Sequence, residues 1–229
     1  MAAAAILDLF GAARRIRAEL RAHPSYQPLR GKNLAVLMAC PPGPASALLQ
    51  AAAIQLGAQV ALVRYAHRAD ARARDTETLA SALGRMYDAI DCECLPAPVP
   101  EQMARHAGVP VIEGLGGVQH RVCALADLMT LLEHPMPAQT PLSVRLVGDA
   151  DSPRAQEFLA AARSIGFDVL AADVGRVLCN DATFVVDAMP PECWPLRTRG
   201  GALDEARRTD NHLRLVQAVL LDEMTGCRT

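Results

Sequence analysis

Short apolar runs alternate with helical stretches along nearly the whole chain, and that alternation leaves few folds open. Asn33–Met38, Val60–Val63, Ala89–Cys92 and Val109–Ile112 read as buried strands. Between and after them, Ala47–Leu56, Thr76–Met86, Glu101–His106 and His120–Leu132 read as helices, the first with Ser46 as its N-cap. A leading helix, Ile6–Ala22, carries apolar residues at helical spacing (Ile6, Leu9, Phe10, Ala13, Ile16, Leu20) and stops at His23-Pro24. After the proline-spaced linker Pro135–Pro141, Ser143–Val147, Val169–Ala171 and Thr183–Val186 read as strands. Arg154–Ile165 reads as a helix, and Leu203–Met224 contains a closing one. Parallel neighbours need long crossovers, usually helical, so this order predicts an α/β fold of parallel sheets flanked by helices. Two lobes are expected, residues 1–137 and 138–229, with no internal repeat.

Composition narrows the class. Hydrophobic residues make up 51% of the 229, charged residues 21% and aromatics only 3%, so aliphatic side chains must build the core. The formal net charge of -2 supplies no basic field for nucleic acid or anionic lipid. Lys32 is the sole lysine, which reads first as genomic base bias. No run approaches the roughly 18 apolar residues of a membrane span. Met1–Phe10 is apolar without a preceding basic residue, and Arg14, Arg15 and Arg17 follow it, the reverse of a signal peptide. Seven cysteines (40, 92, 94, 123, 179, 193, 227) form an odd set without framework spacing. A reducing, cytoplasmic setting is the expectation.

Several strings resemble the ornithine and aspartate carbamoyltransferases, the transcarbamylase family. They are Pro28-Leu-Arg-Gly-Lys32 running into Asn33–Met38, then Gln55-Leu-Gly-Ala-Gln-Val60, and Leu83-Gly-Arg-Met-Tyr-Asp88. Further on come Ala107-Gly-Val-Pro-Val111, Gly114-Leu115, His120 with Leu125-Ala-Asp127, Gly148-Asp149, and Thr209-Asp-Asn-His212 before the last helix. The resemblance implies a carbamoyl-phosphate-binding-like lobe and an amino-acid-binding-like lobe, the second reduced between Val169 and Thr183. It also implies a final helix packed back on the first lobe, and a homotrimer.

The family's reaction joins carbamoyl phosphate to an amine and needs a cationic phosphate cradle, donors on the carbamoyl oxygen and a clamp for the amino acid. Its cradle, Ser-Thr-Arg-Thr-Arg at a helix N-terminus, combines free N–H groups, the helix dipole and two guanidinium forks. The same register here reads Pro42-Gly43-Pro44-Ala45-Ser46. At roughly 1.5–3 kcal/mol per charge-assisted hydrogen bond, losing two arginines costs on the order of a hundredfold or more in phosphate affinity. The expectation is a degenerate site that no longer performs ordinary transfer, in a protein that binds a small anionic ligand, an amino acid or a partner. The alternative is a transferase rebuilt on Arg85, His120 and Cys123, with an amino-group acceptor.

By the resemblance, Arg85 matches an arginine used on carbamoyl phosphate and His120 the histidine at the carbamoyl oxygen; on their own they read as a solvated arginine and a hydrogen-bonded histidine. Cys123 takes the place of the motif's glutamine, and Arg121 that of its proline. Ser46, Arg85, Arg72 and Arg74 are the candidate anion contacts. The last two lie in the loop Arg64–Asp75, which in the family reaches a neighbouring subunit's site and otherwise reads as a solvated basic loop. Ser152 (or Pro153) and Asp187 are the candidates for the amino acid.

Cys40 and Cys123 read as small buried residues, with a functional thiol as the sharper alternative. Cys92-Glu93-Cys94 lacks a second half for a zinc knuckle, so no metal ligand is assigned and no cofactor is expected. Gly114-Leu-Gly-Gly117 lacks the third glycine of a dinucleotide loop. Trp194 reads as a core plug.

Overall fold

The computed structural model describes residues 1–65, 73–137, 140–172, 182–189, 194–198 and 201–226. Arg68, Arg72, Cys179, Cys193 and Cys227 lie outside them, as does the Arg74 side chain. The chain resolves into two compact units, one of Ala13–His120 with the stretch from Val216, the other of Met1–Ala12 with Arg121–Leu215. Helices α1 (Ala3–Ala22) and α7 (Glu205–Thr225) contribute residues to both.

The first unit is built on a four-stranded parallel sheet, A, in the order β2-β1-β3-β4. Its strands are β1 (Asn33–Met38), β2 (Gln59–Arg64), β3 (Ala89–Glu93) and β4 (Val111–Ile112). Crossovers α2 (Pro44–Gln55), α3 (Ala73–Met86) and α4 (Pro98–His106) join them. The central strands are buried on both faces, which is why they read as continuous apolar runs. Ala35, Leu37 and Ile90 pack with Ala80, Leu83, Val99 and Met103 of α3 and α4. Those two helices meet at Gly84, where a Cβ would stand 1.7 Å from the Ala107 carbonyl oxygen, so only glycine fits. Lys32 Nζ and the Asn33 N–H both donate to the Asp88 carboxylate, at 2.9 and 2.8 Å. The bond from Lys32 holds that carboxyl below its usual range and aligns the starts of β1 and β3. Late in α7, Gln217 Nε2 donates to the Ala52 carbonyl and the Gln55 side chain, so the final helix does pack on this sheet's helices.

Asp91 is fully buried in β3 and accepts the Leu115 N–H at 2.8 Å, tying the glycine-rich loop after β4 to the sheet. Burial pushes its carboxyl up to about 7, against the N–H groups of Leu115 and Gly114 and with help from the Glu93 charge.

The second unit holds sheet B, in the order β6-β5-β7-β8-β9. Strands β5 (Ser143–Gly148), β6 (Asp168–Ala172) and β7 (Phe184–Ala188) are parallel, with α6 (Pro153–Ser164) crossing from β5 to β6. Sheet B is mixed rather than all parallel, because β8 (Leu196–Thr198) and β9 (Gly201–Ala202) run antiparallel. The stretch from Ala188 to Leu196 is too short for a parallel crossover.

Helix α5 (Arg121–Leu132) is buried over most of its length. Its Asp127, 1% exposed, accepts from Arg154 Nη2 at 2.8 Å and Arg208 Nε at 2.6 Å. The Arg154 guanidinium lies 4.1 Å from the Trp194 ring centroid, and Arg208 also donates to the Trp194 carbonyl. Trp194 is a core plug, as expected, and one held by cations.

Two outcomes follow from these buried charges. Asp127→Ala strands Arg154 unpaired and is expected to cost about 3–5 kcal/mol of stability in denaturant titration. For Asp91, the folded-state value near 7 lies above the ordinary 3.8, so the folded chain retains a proton that the unfolded chain loses between those values. Stability therefore falls as pH rises from about 4 to 7. Asp91→Asn keeps the acceptor and removes the titration. It is expected to match the parent near pH 4.5 and exceed it at pH 8, by on the order of 3 kcal/mol, in denaturation at both pH values.

Candidate functional site

In a sheet ordered β2-β1-β3-β4, right-handed crossovers carry the helices after β1 and β3 to opposite faces, so the loops leaving those strands part. The crevice at that edge is where open α/β sheets bind ligands. The loop after β1 is Ala39-Cys40-Pro41-Pro42-Gly43, and α2 begins at Pro44 rather than at Ala47. Gly43, not Ser46, is its N-cap. Pro44 at the first helical position is pre-set for helix and has no N–H to leave unpaired.

Ser46 is fully buried and turned back on its own helix start. Its hydroxyl accepts from the Gly43 N–H at 2.8 Å and donates to the Gly43 carbonyl at 2.9 Å. The Ser46 backbone N–H is given to the Glu93 carboxylate at the end of β3, a contact that lowers the carboxyl's pKa while burial raises it further. An internal anion thus sits on the N-terminus of α2. The loop 114–117 closes the other side, with Gly116 so near the helix that a Cβ would stand 2.2 Å from the Ala45 oxygen.

Two thiols complete this edge. Cys40 is half-buried and Cys94 exposed, and they share a hydrogen bond. That bond and burial push the Cys94 thiol up to about 11. Cys94 also has φ +56, the single non-glycine residue with positive φ among the described residues. One ligand atom from each of Cys40, Glu93 and Cys94 lies within 4.8 Å of the others. Cys92, one step along the strand, points to the opposite face, into the core beside Leu37 and Ile90, and burial raises its thiol to about 12.

Of the other expected residues, Arg85 and His120 belong to the unit of sheet A, and Cys123, Ser152 and Asp187 to the other unit. Arg85 is exposed at the end of α3 and donates through Nε to the carbonyl of Ser81 on its own helix, at 3.1 Å. It precedes the start of β3, whereas Ser46 and Glu93 lie at the edge where strands end, so Arg85 and Ser46 are not brought together. His120 is half-buried just before α5, its N–H on the Gly117 carbonyl. Cys123 is buried in the first turn of α5. Ser152 is the N-cap of α6, its hydroxyl accepting from the Ala155 N–H and donating to the Asp149 carbonyl. Asp187 pairs in register with Val147 and accepts the Met189 N–H at 3.1 Å. Both stand where strands of sheet B end, on either side of the β5/β7 switch point.

Residues 1–133 match the family described as aspartate/ornithine carbamoyltransferase, carbamoyl-P binding domain. An ornithine carbamoyltransferase of Actinobacillus pleuropneumoniae serotype 5b is 28% identical over 176 residues, covering 77% of this chain and 51% of the relative. One from Haemophilus influenzae (strain PittGG) is 30% identical over 143 residues, 62% of this chain and 43% of the relative. The chain spans about half the length of the curated relatives it matches. Among solved structures, a mitochondrial ornithine carbamoyltransferase from Coccidioides immitis superposes with a TM-score of 0.74 at 13% identity, over 100% of this chain and 96% of that one. The catalytic subunit of M. jannaschii aspartate transcarbamoylase gives 0.72 at 13%, over 99% and 96%. At such identities the structures speak for the fold, while the sequence match covers more than half of the chain. The chain belongs to the aspartate/ornithine carbamoyltransferase family.

Proposed function

We propose that this protein keeps the carbamoyltransferase frame without ordinary transfer from carbamoyl phosphate, and works as a ligand-binding or partner protein. In this reading residues 1–137 are the counterpart of the carbamoyl-phosphate lobe and 138–229 a reduced counterpart of the amino-acid lobe. The observation that carries it is the Glu93 carboxylate on the Ser46 N–H, at the helix N-terminus where the resemblance puts the donor's phosphate. Two unit charges 4 Å apart at a partly shielded site repel by about 4 kcal/mol, roughly a thousandfold in affinity. That penalty adds to the missing arginine forks and to the N–H donors that Pro42 and Pro44 lack. An amino group would meet the half-buried Asp187 carboxylate at the strand ends of sheet B.

Calorimetric titration with carbamoyl phosphate, with inorganic phosphate as control, tests this. The expected result is no binding heat up to millimolar ligand in the parent, and measurable anion binding in Glu93→Gln. Binding in the parent that disappears in Arg85→Ala would overturn the reading in favour of a rebuilt transferase using Arg85, His120 and Cys123. The family frame also carries a homotrimer as the proposed assembly. Light scattering on the eluting protein is expected to give about three times the chain mass, and a monomer mass would remove that part.

A further inference from the structure

β1 and β3 are direct neighbours with Met38 opposite Glu93, so the chain leaving β1 through Cys40 and the chain leaving β3 through Cys94 run over the same edge. There the two thiol sulfurs and a Glu93 carboxylate oxygen lie within 4.8 Å of one another. Ligands around a tetrahedral zinc ion, at bond lengths of roughly 2.0–2.3 Å, stand about 3.3–3.8 Å apart, so small side-chain rotations would close the set. Cys92 faces the core, on the side of the strand opposite Glu93, and Cys94, beyond the end of β3 with φ +56, leaves that alternation; the second sulfur is supplied by Cys40 of the β1 loop.

We propose that Cys40, Glu93 and Cys94 form a binding site for zinc or another thiophilic divalent cation, with a fourth coordination position open to solvent. Two sulfurs select against magnesium and calcium, which take oxygen ligands. The Ser46 N–H holds Glu93 from behind, the kind of outer contact that orients a metal-ligating carboxylate. Pro41 and Pro42, directly after Cys40, limit the loop's freedom, so little ordering remains when the ion arrives. Cys94 is exposed, which gives the ion an entry path and leaves room for a water or a small ligand as the fourth partner. The site stands on this juxtaposition alone, whether or not carbamoyl transfer survives.

The test uses the full chain, reduced with a phosphine and stripped with a chelator, titrated with zinc against a chromophoric chelator and separately with cobalt(II). The expected result is about one equivalent of zinc, and a cobalt spectrum with a thiolate-to-metal charge-transfer band and tetrahedral d–d bands. Cys40→Ser and Cys94→Ser are each expected to weaken zinc binding about a hundredfold and abolish the charge-transfer band, and Glu93→Gln to weaken it about tenfold. Circular dichroism of each variant confirms that the fold is retained. Unchanged zinc affinity in both serine variants would place the ion on other cysteines and overturn the proposal. A reduced chain that binds no zinc while forming a Cys40–Cys94 disulfide on oxidation would overturn it in favour of a redox pair.

Discussion

Parallel pairing of β1 with β3 is the constraint on which the first unit depends. Two parallel neighbours cannot be joined by a hairpin, so every connection becomes a helix and every strand delivers its last residue to the same edge. Placing β2 on one side of β1 and β3 on the other then sends α2 to one face and α3 and α4 to the other. The loop beginning at Ala39, the start of α2 and the exit of β3 are consequences of that polarity, as is the remoteness of Arg85. A residue at the C-terminal end of a crossover helix is delivered to the edge where the next strand begins, however well its neighbours in sequence match a motif.

The edge so formed holds more negative charge than its scaffold would suggest. A helix N-terminus attracts anions, and here the fold supplies its own in Glu93. Asp91, two residues earlier, is driven towards neutrality chiefly by its burial, and the Glu93 charge adds to that push. The second unit solves the opposite problem. Arg154 and Arg208 bring two positive charges to a single buried aspartate, and the face of Trp194 takes up part of the excess.

Much of this was legible in the residues. Asn33–Met38 and Ser143–Val147 announce themselves as buried strands, and the family is legible in strings such as Leu83–Asp88. The cap of α2 is misread from the sequence as Ser46, because serine is the stronger N-cap signal, while Pro44 at the first helical position marks the true start at Gly43. β8 and β9 escaped because three- and two-residue strands have no period to detect. The Cys40–Glu93–Cys94 grouping escaped for a different reason. Cys40 is more than fifty positions from Glu93 and Cys94, and only the knowledge that β1 and β3 are neighbours in register makes them one cluster.

Cys94 occupies a backbone conformation that glycine adopts freely and other residues adopt at a cost of about 1–2 kcal/mol. The folded chain would thus be more stable with the smallest residue at that position, and it carries a thiol there instead. A screen that selects variants for thermal resistance alone would be drawn to this position and would erase the sulfur while improving the fold. In the proposed metal site, stability and ligation pull in opposite directions at this one residue.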